Sequence, residues 1–437
     1  MADYGNTIEP GIVTNVNSAL SVTSSGGAPA DVGLVGQADL VNGTAQTNAV
    51  YQVTRATKAR EWFGEDSPLT RNILDALTEG AYPVYAVAVD LVDVTGEDLS
   101  GLSSNEGSLA EGPVSEDAND VVFTIDGVTL DTVLVYEDPS ELTPGAGEVY
   151  LNPTTRDFKI DPDATVGSTG DSVDYATADY VTANQAMVDG AAGAIDFFAP
   201  LSEGVSVTED AQSKVNGMAS EYNLALAIVG ATPGLDPSTY SNTFDDSRVQ
   251  VVYPARDSEG YSTLGAYAGL RAKLGITTTP INKRLSSIKS LAVSLNKADR
   301  GEMIDERVVP LADESEGARI ADDVNSVSDQ NGDEAGIRFG FTRLVMDYVI
   351  TTIRVNEQPF IGRLNSRAVR AALEGLLSNQ LNTLKRSNAI VDYRVSVSRV
   401  DATTAAVEIQ VKTAKPLRSS RTRLRLGLRR KDSNNSF

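Results

Sequence analysis

The sharpest catalytic spacing in the sequence is Ser286-Ser287-Ile288-Lys289, an S-x-x-K in which Ser286 would be a nucleophile and Lys289, one helical turn on, its activating base. It stands alone. No S-D-N accompanies it, and the nearest approach to K-T-G is Lys412-Thr413-Ala414, so a polar helix turn is the plainer reading. A second stretch, DPDATVGSTGD at 161–171, has the aspartate density of a calcium loop. Yet Gly167 falls one place late for the sharp turn, and Ser172 stands where a bidentate glutamate is needed. Carboxylate pairs such as Asp245/Asp246 and Asp322/Asp323 are common in a chain with 60 acidic residues, so none marks a general acid and base.

Composition closes most other chemistry. With no His and no Cys, the chain lacks the commonest general base and metal ligand, thiolate nucleophiles, zinc-thiolate sites and disulfides. No GxxxxGK[ST] occurs, and GLVGQA at 33–38 lacks the GxGxxG spacing. The expectation is a protein that is not an enzyme, with no catalytic residue, no cofactor and no metal site.

The charge is large and uneven. Sixty acidic against 37 basic residues give −23, and residues 1–250 hold 39 acidic and 8 basic while 251–437 hold 21 and 29. Arg outnumbers Lys 26 to 11. An acid-rich, Lys-poor surface suits a halophile, because at about 1 M salt the Debye length is only about 3 Å and such a charge barely repels itself. An ordinary acidic cytosolic protein is the alternative.

The elements that would position any site can be read in outline. Residues 1–31 are polar and Gly/Ser-rich and read as an extended N-terminal arm, with Ile12, Val13, Val16, Leu20 and Val22 as its apolar positions. The start lacks both a basic region and an apolar segment, so export by a signal peptide is not expected, nor is membrane insertion. VGLVG at 32–36 and AVYQVT at 49–54 are strands. Ser67 is a candidate N-cap with Pro68 at the first helical position, Leu69, Ile73, Leu74 and Leu77 form an apolar stripe, and Gly80 stands where a C-terminal cap belongs. VYAVAV at 84–89 is a strand covered on both faces.

This α/β core, 32–96 and 181–335, is discontinuous: between lies an acidic β-rich insertion, 97–180, holding 19 acidic and 2 basic residues. LALAIVGATP (224–233) and VQVVYP (249–254) resume the α/β pattern. Residues 336–414 form a C-terminal α+β unit. One helix carries Leu344, Tyr348 and Val349, and a second carries Val369, Leu373, Leu376, Leu377 and Leu384; a hairpin of 391–397 and 406–411 follows, turning at Arg399 to Thr404. Last comes a basic arm, 415–437, with eight basic residues between Lys415 and Lys431. Its core, TRLRLGL, alternates Arg421, Arg423 and Arg425 with Leu424, Leu426 and Leu428 in the manner of a strand, but no partner strand follows it. Such an arm is built to pair with another chain. No aromatic residue interleaves its arginines and the chain as a whole is acidic, so nucleic acid is not the expected partner.

The stretch VGLVGQADLVNGTAQTNAVYQVTRATKAREWFGEDSPLTRNILDALTEGAYPVYAVAVD resembles the N-terminal region of contractile-tail sheath proteins of myoviruses and related injection machines. Trp62-Phe63-Gly64, Leu69, Gly80 and Val84 to Val89 hold the positions that carry the likeness. SRVQVVYPA (247–255) and YAGLRAKLGITTTPIN (267–282) are similar to the family's Tyr-Pro strand and Ala-Gly helix. FGFTRLVMDYVITTIRV (339–355) and RLNSRAVRAALEGLLSNQLNTLKRSNAI are similar to the two helices of its C-terminal domain.

The resemblance implies a virion or injection-machine component that polymerises as stacked hexameric rings around an inner tube and contracts to drive that tube through a host envelope during genome ejection. It implies arms that add strands to neighbouring copies, an insertion on the outside, and a C-terminal domain against the tube. On that reading Arg363, Arg367, Arg370, Lys385 and Arg386 are candidate tube contacts. The partners would be further copies of the chain, the inner tail tube protein, and baseplate and tail terminator proteins, assembled in a salt-rich host cytoplasm. A halophile surface or adhesion protein is the alternative from another class, and whether a virus or a cell encodes the assembly stays open.

Overall fold

The computed structural model describes residues 31–191, 193–315, 317–328 and 337–414. The two terminal segments, and with them Ile12, Val13, Val16, Leu20, Val22, Arg421, Arg423, Leu424, Arg425, Leu426 and Leu428, lie outside the described residues.

Strand formation at the centre follows from short, almost wholly apolar runs. Val32–Gly36, Val84–Ala88, Phe197–Pro200, Leu226–Gly230 and Val249–Tyr253 are buried nearly throughout, as parallel strands with both faces covered must be. They join Val308–Glu314 in one sheet of nine strands, whose order from one edge is Arg284–Leu285, Gly317–Ile320, Val308–Glu314, Val249–Tyr253, Leu226–Gly230, Phe197–Pro200, Val32–Gly36, Val84–Ala88 and Val50–Val53. The six central strands run parallel, and both margins are antiparallel. Alternation then sends neighbouring side chains to opposite layers: Leu34, Ala86 and Ile228 face one core, Val35, Val87 and Val229 the other.

The Pro68–Glu79 helix forms as its sequence signals require. Ser67 Oγ accepts from Thr70 N at 3.1 Å, Pro68 takes the first turn, and Gly80 closes it at φ 112°. It packs against the Leu264–Leu274 helix so tightly that a Cβ on Gly265 or Gly269 would meet the backbone oxygens of Asn72 and Ala76 at 2.4 and 2.5 Å. A shorter helix, Ala56–Phe63, precedes it and buries Ala59 and Phe63.

A second sheet of seven strands holds the acidic insertion around Phe123, Leu130, Val149, Leu151, Phe158, Ile160, Val173 and Tyr175. Its leading strand, Asp90–Asp98, pairs with Ser172–Asp179, so the sheet begins ahead of Glu97, where the composition suggests a boundary. The charge count missed this strand because its exposed outer positions include Leu91 and Val92.

Residues 340–414 build the third unit. The Gly340–Glu357 helix begins inside the core, where Phe341 N donates to Asp323 Oδ2 at 2.9 Å, and Arg248 and Arg343 both clasp Asp347. The Arg367–Arg386 helix buries Leu373, Leu377, Leu381 and Leu384, and the hairpin Ile390–Arg399 with Ala405–Thr413 lies on it. Among the described residues there are eight α-helices, and none is long and apolar enough to cross a membrane.

Candidate assembly surfaces

The residues with enzyme-like spacing are not assembled into a catalytic site. Ser286 and Ser287 sit in a turn after the two-residue strand Arg284–Leu285, not on a helix, so the one-turn relation between Ser286 and Lys289 does not exist. Instead Ser286 Oγ and Ser287 N both donate to Glu79 Oε1, each at 2.9 Å, tying this turn to the end of the Pro68–Glu79 helix. The 161–171 aspartates are turn builders. Asp161 accepts from Asp163 N and Gly147 N, and Asp171 from Asp126 N and Ser168 N. Among the described residues no group of three or more carboxylates is placed to hold a metal ion.

What the fold does offer is an unfinished sheet. Ile390–Arg399 and Ala405–Thr413 pair only with each other among the described residues, over nine register positions. Local chemistry sets the hairpin. Asp401 Oδ1 accepts from Thr403 N and Thr404 N, both at 2.7 Å, and these bonds hold its carboxyl down to about 2. Asn365 then donates to the carbonyls of Asp401 and Thr404, pinning the hairpin tip to the loop before the Arg367–Arg386 helix. Tyr393 Oη donates to Ser378 O at 2.9 Å and anchors the middle.

The inward row of this hairpin, Tyr393, Val395, Val397, Val407 and Ile409, is only half-buried, although it packs on the core. Two strands are too few to cover it. A further strand carrying apolar residues on one face and polar residues on the other would complete the layer. The first strand's outer edge is met at Val397, whose N–H reaches Glu374 Oε2 at 3.4 Å.

The five basic candidates fall at opposite ends of one helix. Arg363, Arg367 and Arg370 lie at its start, Lys385 and Arg386 at its finish; at about 1.5 Å per residue Arg367 and Arg386 are about 28 Å apart. Three have partners within the chain. Arg363 bonds Pro359 O and lies over Phe360, Arg370 bonds Asn365, and Lys385 pairs with Asp392 at 2.7 Å. Arg367 and Arg386 are exposed and make no ion pair among the described residues. The first turn of this helix carries no acid, so Arg367 stands at its positive end without compensation.

Solved structures resemble this fold over most of the chain. The anti-feeding prophage baseplate contains a chain that matches over 97% of this chain and 100% of that one, with TM-score 0.59 and 13% identity. The fold is that of tail sheath proteins. The contracted helical sheath of the same prophage matches over 98% and 99%, at TM-score 0.58 and 13% identity, and the sheath tail protein of Listeria innocua over 89% and 96%, at 0.53 and 13%. No protein-family profile matches the chain, and no curated protein does. At such identity the likeness is one of fold alone.

Sequence reading missed the buried charges of this fold. Arg256, Glu203, Arg271, Asp323, Asp75 and Glu79 are each buried, yet each stands in a stretch that reads as ordinary surface or helix. Asp75 faces Arg71 one helical turn before it, but the partners of the other five are distant in the chain, so no local spacing announces them.

Proposed function

We propose that the chain is a structural subunit of a contractile tail sheath, polymerising as stacked hexameric rings around an inner tube and shortening to drive that tube through a host envelope. The observation that carries the reading is the two-stranded hairpin with a half-buried apolar row, in a chain whose overall fold is shared with sheath proteins. The N-terminal arm (1–31) and the basic arm (415–437) of neighbouring copies supply the missing strands. In the basic arm Leu424, Leu426 and Leu428 alternate in sequence with Arg421, Arg423 and Arg425, the pattern a strand added to this apolar row requires. Five backbone hydrogen bonds at about 0.5–1.5 kcal/mol net each make one linkage worth several kcal/mol, enough to persist while rigid units slide.

Residues 337–414 hold eleven basic and six acidic side chains, whereas the seven-stranded insertion is strongly acidic. The basic side faces the tube and the acidic insertion faces out, with Arg367 and Arg386 the readiest of the five candidates for tube contact. Baseplate and terminator proteins cap the assembly in a virion tail or a cell-encoded injection machine working in high salt.

The test is negative-stain electron microscopy of the purified chain in molar KCl beside a variant truncated after Lys415. Hollow striated tubes from the full chain and none from the truncation are expected. Monodisperse folded particles from both would overturn the sheath reading and favour a halophile surface protein.

A further inference from the structure

Arg256 stands where the acidic insertion meets the nine-stranded unit. It follows the Val249–Tyr253 strand, and its side chain is 3% exposed. Nη2 is 2.7 Å from Glu203 Oε2 on the nine-stranded side and 2.6 Å from Glu116 Oε1 on the insertion side. Nη1 donates to Gly260 O at 2.9 Å, and the Tyr136 ring of the insertion lies 4.2 Å from the guanidinium carbon. One cation therefore touches both units.

The surroundings are fitted to this contact. Thr154 Oγ1, from the insertion, donates to Glu203 Oε2 at 3.2 Å. Gln37, from the turn after Val32–Gly36, donates to Val114 O and accepts from Glu116 N, so the backbone on either side of Ser115 is held by one core side chain. A Cβ on Gly260 would meet the Tyr136 ring at 3.0 Å, and one on Gly230 would meet Glu203 Cγ at 2.5 Å. Two carboxylates share one guanidinium in a site sealed from water, and burial pushes the Glu203 carboxyl above its usual range against the pull of Arg256. Removing the arginine would leave two buried carboxylates uncompensated, whereas removing one insertion-side partner leaves the Arg256–Glu203 pair intact.

We propose that Arg256 is a latch that makes the Asp90–Asp179 insertion and the nine-stranded unit one rigid body, so that the two polypeptide connections at Asp90 and Asp179 do not act as a hinge. Resting on the sheath reading, the consequence is that the insertion is carried with the core when subunits rearrange, and the change of shape falls on the arms and their hairpins. Arg256 is a positioning residue in this proposal.

Hydrogen exchange of the full-length, unassembled chain tests the latch without requiring tubes. In Arg256→Met the amides of Val114, Ser115, Glu116, Asn152, Thr154 and Thr155 are expected to exchange at least tenfold faster, with Val32–Gly36 and Leu226–Gly230 unchanged. Equal protection in wild type and variant overturns the latch, and so does loss of protection in both sheets together, which would make Arg256 a general core residue. Should Arg256→Met not yield soluble protein, the pair Glu116→Gln and Tyr136→Leu gives the same readout with the core side left whole. Tube formation by the full chain, scored separately, reports on the sheath reading, so either claim can fail while the other stands.

Discussion

Asp323 Oδ1 lies 2.7 Å from Arg271 Nη1, and the two side chains are 0% and 1% exposed. The same oxygen accepts from Gln250 Nε2, and the other carboxylate oxygen accepts from Phe341 N at the start of the Gly340–Glu357 helix. One carboxylate thus joins the Leu264–Leu274 helix, the central sheet and the first helix of the C-terminal unit. Asp323→Ala would leave Arg271 charged and unpaired, at about 3–5 kcal/mol. Urea unfolding measures it, and Arg271→Met with Asp323→Leu should recover most of the loss. A single-variant loss under about 1 kcal/mol would show that the pair does not hold the two units together.

Glu357 gives the fold a pH dependence of known sign. Burial raises its carboxyl to about 7, against the opposing charge of Arg354. The folded value exceeds the ordinary 4.5, so the neutral acid is what the fold favours. Its contribution is fully present below about pH 4.5 and is lost as pH rises through about 7, a change on the order of 3 kcal/mol. Glu357→Gln should flatten this part of the profile and be more stable than wild type at pH 8. Thermal melts from pH 5 to 8 check it, and parallel curves for the two proteins would refute it.

Asp75 should behave alike. Burial lifts it to about 7, with Arg71 Nε 4.0 Å away as the main opposing charge. Asp75→Asn is expected to raise stability most above pH 7, by less as pH falls from 7, and to leave it nearly unchanged only below about pH 4. Combined with Glu357→Gln the effects should add, since the two sites belong to different units.

Gly269 decides how close two helices approach. In a free helix Gly→Ala stabilises by about 1 kcal/mol. Here the new Cβ would sit 2.5 Å from Ala76 O and 2.7 Å from Ala76 Cα, so a net loss of about 1–3 kcal/mol is expected. Gly301, whose Cβ would meet nothing within 4 Å, is the control. Equal effects at both positions would mean that the helices yield.

Ser67→Ala removes the side-chain acceptor for Thr70 N and should lower stability by about 1 kcal/mol. Ser67→Asp should retain most of it. Chemical denaturation of the three proteins is sufficient.

What the sequence determined by itself is whatever short-range chemistry controls. Ser67, Pro68 and Gly80 bound a helix because capping and backbone conformation act within a few residues, and Val84–Ala88 reads as a buried strand because a continuous apolar run has nowhere else to go. The Leu373, Leu377 and Leu384 stripe and the hairpin after it were legible for the same reason. Tertiary structure decided everything that needs two distant segments to meet. Glu203 and Arg256 look like surface residues until Glu116, 140 positions from Arg256, closes on them. Ser286 reads as a plain polar turn residue with the spacing of a nucleophile, and only the fold shows that Glu79, 207 positions away, takes its hydroxyl hydrogen bond. A buried charge is tolerable only beside its partner, and which partner arrives is set by the order of strands in a sheet, which the chain's local pattern does not encode.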